Sequence, residues 1–181
     1  MSVAARSSRS REAETRACRR STGTPTPERV AHGDIGLTAL DARTAIGALN
    51  VYRCCVGLYG LRRSGAIDDA QVAAAEMWAR DYETGVLGAS DPELAGNCGR
   101  GDVHDMMLAR AAASERYSYI RAALGRAGER LLILLMIEGL SMSAMGERLQ
   151  QDRKTIAGAL VLLLEQLVEQ YDGMPWSRKK D

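Results

Sequence analysis

The chain has no phenylalanine, and Trp and Tyr together bring the aromatic share to only 4% of its 181 residues. The core must therefore be assembled from Leu, Ala, Val, Met and Ile, which dominate an apolar fraction of 46%. That mixture favours helix over strand. Histidine is almost as scarce, with only His32 and His104. No G-x-S-x-G, H-E-x-x-H or paired-carboxylate motif accompanies them, so acid–base chemistry has few carriers and a non-enzymatic role is expected. The four cysteines, Cys18, Cys54, Cys55 and Cys98, include no C-x-x-C pair. A structural zinc needs four soft ligands in close pairs, and neighbouring Cys54 and Cys55 on a helix would point about 100° apart. Neither a metal nor a cofactor is expected, and the thiols read as reduced and mostly buried. Long apolar runs are also missing: Leu131–Ile137 and Ala159–Leu164 are the longest, too short to span a bilayer. The N-terminus lacks the apolar core of a signal peptide. The expectation is a cytoplasmic protein with no membrane partner.

Charge is nearly balanced, at a formal net of +1. Affinity for nucleic acid would have to come from a local patch. The first 34 residues hold seven Arg against four acids, residues 35–99 five basic against eight acidic, and the remainder twelve against eleven. Residues 1–34 are rich in Ser, Thr, Arg, Gly and Pro and offer little to bury, so a disordered basic tail is expected there. Arg16, Arg19 and Arg20 would make it a phosphate-touching arm.

The spacing then predicts an all-α fold. Thr38 with Asp41 is a cap for a helix from Ala39 to about Tyr59, ended by Gly60, with Gly47 and Gly57 either permitting close packing or breaking it. Leu61–Ala66 reads as a turn. Asp68 and Gln71 form a capping box for a helix over Asp69–Thr84, with Gly85 as its left-handed C′ residue. Together these make an N-terminal helical hairpin over 35–87. A Gly-rich linker over 88–101 follows, then a C-terminal multi-helix bundle over 102–174 and a basic tail over 175–181. Within the bundle the first helix runs from Asp102 to Leu124 and is interrupted at Gly125. Its arginines, Arg110, Arg116, Arg121 and Arg126, alternate with acids and read as a solvated face.

The most informative stretch is Arg126–Tyr171. A helix over 127–138 ends at Gly139. Ser141 caps a second, Met142–Leu149. Gln150 and Gln151 make a turn, and Asp152 caps a third that runs to about Tyr171. Two helices crossing at roughly 90–120° need a small residue where they meet and apolar anchors on each side. Gly146 is that residue, and Leu140, Met145, Leu149, Ile156 and Leu160 are the anchors. Leu160, Leu163, Leu164, Leu167, Val168 and Tyr171 form an apolar stripe wide enough to face two neighbours. One neighbour is the helix before the turn. The other is either the N-terminal half or a second subunit, and a homodimer is expected.

Ser141 to Leu149, followed by Asp152-Arg153 and Ile156, resembles the promoter-reading helix-turn-helix of region 4 of bacterial primary sigma factors over about 30 residues. Residues 115–171 are also similar to small helix-turn-helix proteins of alphaproteobacteria and their prophages. The resemblance implies that Arg148 and the first turns of the third helix face DNA, with Gln151, Arg153, Lys154, Thr155 and Gly158 as the contact set. Arg126, Arg178, Lys179 and Lys180 are further candidate phosphate contacts. Gln150 stands where the family's turn usually has glycine, Gln151 where it has an apolar residue, and Ala157 and Gly158 where long base-reading side chains often sit. These departures favour phosphate or shape recognition over base readout. The expected function is a double-stranded DNA-binding transcriptional regulator of bacterial or phage genes, acting alone or with RNA polymerase. It would sit in the bacterial nucleoid or, if phage-encoded, in the host cytoplasm. The alternatives are a small-terminase-like DNA-packaging subunit and a helix-turn-helix scaffold for protein–protein contact.

Overall fold

Helix packing begins at the strongest N-cap signal of the N-terminal half. In the computed structural model, which describes residues 21–22, 35–38, 51–89 and 103–175, the Asp68 carboxylate accepts the Gln71 N–H at 2.8 Å. The Gln71 side chain in turn accepts the Asp68 N–H at 2.9 Å. This reciprocal box starts a 17-residue helix, Asp69–Gly85 (α2). Before it lies a shorter helix, Val56–Arg63 (α1). After it come Val103–Leu132 (α3), a π-helical turn over Ile133–Ile137, Met142–Leu149 (α4) and Arg153–Asp172 (α5). From Val56 onward every described element is helical, as the leucine- and alanine-rich composition predicts.

The region before Val56 departs from expectation. Val51–Cys54 is a strand, not the end of a helix from Ala39. It pairs antiparallel with Ile35–Thr38 on one side and with Ser21–Thr22 on the other. The β-branched and aromatic pair Val51-Tyr52 suits an extended backbone. Pairing of Ser21-Thr22 requires only main-chain groups, so a polar segment read as a tail still supplies an edge strand. Gly60 does not end α1, which continues to Arg63 and shortens the expected turn. The expected tail elsewhere in 1–34 with its Arg16, Arg19 and Arg20, the helix over 39–50 with Gly47, the linker over 90–101 and the basic tail with Arg178, Lys179 and Lys180 lie outside the described residues.

Two glycines act through close approach. At Gly57 an added Cβ would meet the Leu140 carbonyl oxygen at 2.4 Å and the Leu135 side chain at 2.8 Å, so α1 lies directly on the segment joining the π turn to α4. Gly85 is not the left-handed C′ residue. It is the last residue of α2, and its Cβ would fall 2.7 Å from the Ser114 amide, where α2 crosses α3. The left-handed conformation falls instead at Gly88, with φ 74°.

One cluster of buried apolar side chains takes residues from both sides of the 88–101 segment. Leu58 and Trp78 from the hairpin meet Ile120, Leu132, Leu135, Met136, Met145, Leu160, Leu164, Leu167 and Met174. Helix α2 packs against both α3 and α5. The few aromatics gather at this seam: Trp78 stacks on Tyr82 at 5.4 Å, and Tyr117 meets Tyr82 edge-on at 5.5 Å. Pairs of this geometry add about 0.5–1.5 kcal/mol beyond area burial.

Candidate nucleic-acid interface

The segment from Gly139 to Arg153 is built by local rules that the sequence displays openly. Gly139, at φ 64°, reverses the chain, and the Leu140 N–H reaches back to the Leu134 carbonyl at 3.0 Å. Ser141 Oγ accepts the Ala144 N–H at 3.3 Å and opens α4. The Gly146 carbonyl accepts the N–H of both Gln150 and Gln151. Gln150 takes the left-handed conformation (φ 55°, ψ 41°) that a glycine would hold at less cost. The Asp152 carboxylate then accepts the Lys154 N–H at 2.8 Å and opens α5. Gly146 has the predicted role: a Cβ there would lie 2.7 Å from the Gln151 carbonyl oxygen. Of the expected anchors, Leu140, Met145, Ile156 and Leu160 are buried and Leu149 is half-buried.

This arrangement turns the first half of α5 outward. Gln151, Arg153, Lys154, Thr155 and Gly158 are all exposed, and space around Gly158 is open to 4 Å. Neither Arg153 nor Lys154 has an ion-pair partner among the described residues. Arg148, at the end of α4, is exposed and its guanidinium lies 3.5 Å from the Glu138 carboxylate. A surface pair of that length holds the arginine only weakly, at about 1 kcal/mol or less. Arg126 is exposed but belongs to a different spot. With Ser118, Arg121, Ala122 and Gly125 it lines an open depression of about 300 Å³ at the bend of α3.

The remaining face of α5 is covered within the chain. Leu160, Leu163, Leu164, Leu167 and Tyr171 are buried and Val168 is half-buried within the single chain. The second neighbour of this wide stripe is the N-terminal half, chiefly α2, so the stripe calls for no second subunit.

Two polar clusters were not legible as sites. Asp81, 1% exposed, sits between α2, α3 and α5. The Arg116 guanidinium donates to it from Nε at 3.0 and 3.1 Å and from Nη2 at 2.5 Å, and the Tyr171 hydroxyl donates at 2.9 Å. Burial pushes the Asp81 carboxyl above the usual carboxylate range, and Arg116 and Tyr171 pull it partly back. Burial, then the adjacent carboxylate, hold the Tyr171 hydroxyl far above its ordinary value, so it stays a donor. Arg116 is therefore an internal partner and not part of a solvated face. The signal in the sequence was faint: Asp81 falls three residues after Trp78 and seven after Ala74, on the buried side of α2. The second cluster crosses the α3 break, where Gly125 adopts φ 68°. The Tyr117 hydroxyl and Arg121 Nε, the latter at 3.1 Å, both donate to Glu129 and tie the two arms of the bent helix together. Burial and the Glu129 carboxylate raise the Tyr117 hydroxyl well above its ordinary value.

Among the described residues, no group of three or more His, Cys, Asp or Glu is placed to hold a metal ion, and no helix is long and apolar enough to cross a membrane. Cys55 is a buried free thiol, with its Sγ 3.9 Å from the Met136 carbonyl. Comparison with protein-family models, curated proteins and solved structures finds no match to this chain.

Proposed function

We propose that the chain binds double-stranded DNA through the α4–turn–α5 unit as a helix-turn-helix, and acts as a transcriptional regulator of bacterial or phage genes, alone or with RNA polymerase. The observation that carries this reading is the outward first half of α5. It presents Arg153 and Lys154 without carboxylate partners among the described residues, immediately after a tight turn held by Gly146. Besides the Lys154 N–H that Asp152 takes, the exposed first turn of α5 offers main-chain N–H groups to phosphate. In this mode α5 enters the major groove and α4 lies across the backbone, with Arg148 at its end.

The packaging-subunit alternative requires a ring of many subunits, whose mass light scattering separates from that of a monomer or dimer. The DNA-binding reading is common to both. It is tested by fluorescence anisotropy on labelled duplex with the full chain. Arg153→Ala and Lys154→Ala should each weaken binding by a factor matching about 1–3 kcal/mol if they touch bases. If they touch phosphates, they should flatten the salt dependence by about one unit of slope. Unchanged affinity and unchanged salt slope in both single variants and the double variant would refute the assignment.

A further inference from the structure

We propose that the exposed face of α5 reads the C5-methyl groups of thymine by apolar contact, so that the preferred duplex is one with thymines at fixed major-groove positions. This rests on the DNA-binding reading above. Helical spacing puts Thr155, Gly158, Ala159 and Leu162 on one strip, and all four are exposed. None of them can form the bidentate hydrogen bonds with which Arg, Asn or Gln identify guanine or adenine. What the strip offers is methyl groups on Thr155, Ala159 and Leu162 around a bare backbone at Gly158, where nothing lies within 4 Å of an added Cβ. Over its first three turns this strip carries no side chain longer than leucine, with exposed Gln166 coming only one turn further on, so that part of the helix can sit deep in a groove about 12 Å wide, where thymine's methyl is the one apolar group projecting.

Leu162 is the sharpest observation. At 68% exposed it is the most solvent-exposed large apolar side chain among the described residues, while its neighbours Leu160, Leu163 and Leu164 are buried. The surrounding charges define one usable window. Lys154 flanks the strip at the N-terminal end of α5, Arg153 stands in the same first turn on the other side of the helix, and Arg148 lies just before the turn. Glu147 is exposed beside Arg148, and Asp152 is turned to its own helix by accepting the Lys154 N–H. Glu165 and Glu169, both exposed, follow Leu162 and would repel a phosphate backbone. The contact is thus confined to about the first three turns of α5, and Leu162 is its far edge.

The test begins with the full chain and a random-sequence duplex pool, from which bound duplex is recovered and its affinity measured. Each thymine is then replaced in turn by uracil, which keeps the base pairing and the O4 acceptor but lacks the methyl. At one or more positions uracil should weaken binding about fourfold, the factor expected for losing one buried methyl. Leu162→Ala should weaken binding to the thymine duplex by a similar factor and remove the thymine–uracil difference at one position. Because Leu162 is exposed, that variant should keep its melting temperature. Duplex binding that ignores every uracil substitution would overturn methyl reading and leave DNA binding standing. So would Leu162→Ala binding the recovered duplex as well as the parent, the result expected if this face docks a protein instead. Failure of the folded chain to retain any duplex from the pool would overturn both readings.

Discussion

Arg116→Ala probes the polar junction that joins three helices. Asp81 is 1% exposed, and its carboxylate is held by the Arg116 guanidinium and the Tyr171 hydroxyl. Removing one member of a buried ion pair typically costs 3–5 kcal/mol, because the other charge is left uncompensated. The Arg116 side chain is itself 31% exposed, so water entering the vacated space will solvate Asp81 in part. The expected cost at neutral pH is then about 2–4 kcal/mol. Its pH dependence is the diagnostic feature. In the parent, burial already raises the folded-state Asp81 pKa above its ordinary value, so the folded state binds this proton more readily than the unfolded chain does. Any such group contributes stability that is fully present below the unfolded pKa and lost as pH rises through the folded pKa. Without Arg116 the folded pKa climbs further, since the attractive partner is gone while burial remains. The penalty of Arg116→Ala should therefore be largest near neutrality and shrink as pH falls toward the ordinary carboxylate range, where Asp81 takes up a proton. Urea unfolding of parent and variant at a series of pH values measures this. A penalty that stays constant with pH, or grows on acidification, would refute the claim that an uncompensated Asp81 charge causes it.

Two further tests address packing. Gly57→Ala should destabilise the fold by about 1–3 kcal/mol because its Cβ would collide with the Leu140 carbonyl. Gly60→Ala, three residues on in the same helix with open space around it, should stabilise by up to about 1 kcal/mol; equal effects in urea melts would contradict the close approach. Leu163→Asp places a carboxylate in the interior of the single chain and should lower the melting temperature at every protein concentration. If light scattering instead shows a stable folded species of altered mass, that face belongs to an interface.

Much of the fold was legible because helix ends are decided over three or four residues. Asp68 with Gln71, Ser141 with Ala144 and Asp152 with Lys154 all make the predicted caps. Gly139 and Gly125 interrupt helices where expected. The exposed positions of α5 were legible for the same reason: once the turn and the buried positions Ile156 and Leu160 are placed, helical spacing determines which residues face out. Gly60 and Gly85 misled because glycine marks both helix ends and close crossings, and the sequence does not distinguish them. At Gly85 the deciding atom is the Ser114 amide, on another helix. Val51–Cys54 misled because a short apolar run fits helix and strand alike, and its pairing partners lie far away in the chain.

Local steric and hydrogen-bonding constraints, written within a few residues of one another, were enough for the sequence by itself to determine a helical body, the α4–turn–α5 geometry around Gly146 and the outward direction of Arg153, Lys154 and Thr155. Tertiary structure alone decided what the apolar stripe of α5 covers. Hydrophobic burial has no direction, so Leu163, Leu164 and Leu167 demand a dry neighbour without specifying one, and within the chain α2 is that neighbour. It also decided that Arg116 faces inward, because a carboxylate withdrawn from water at Asp81 requires a cation that only the packing of α3 against α2 can bring within reach.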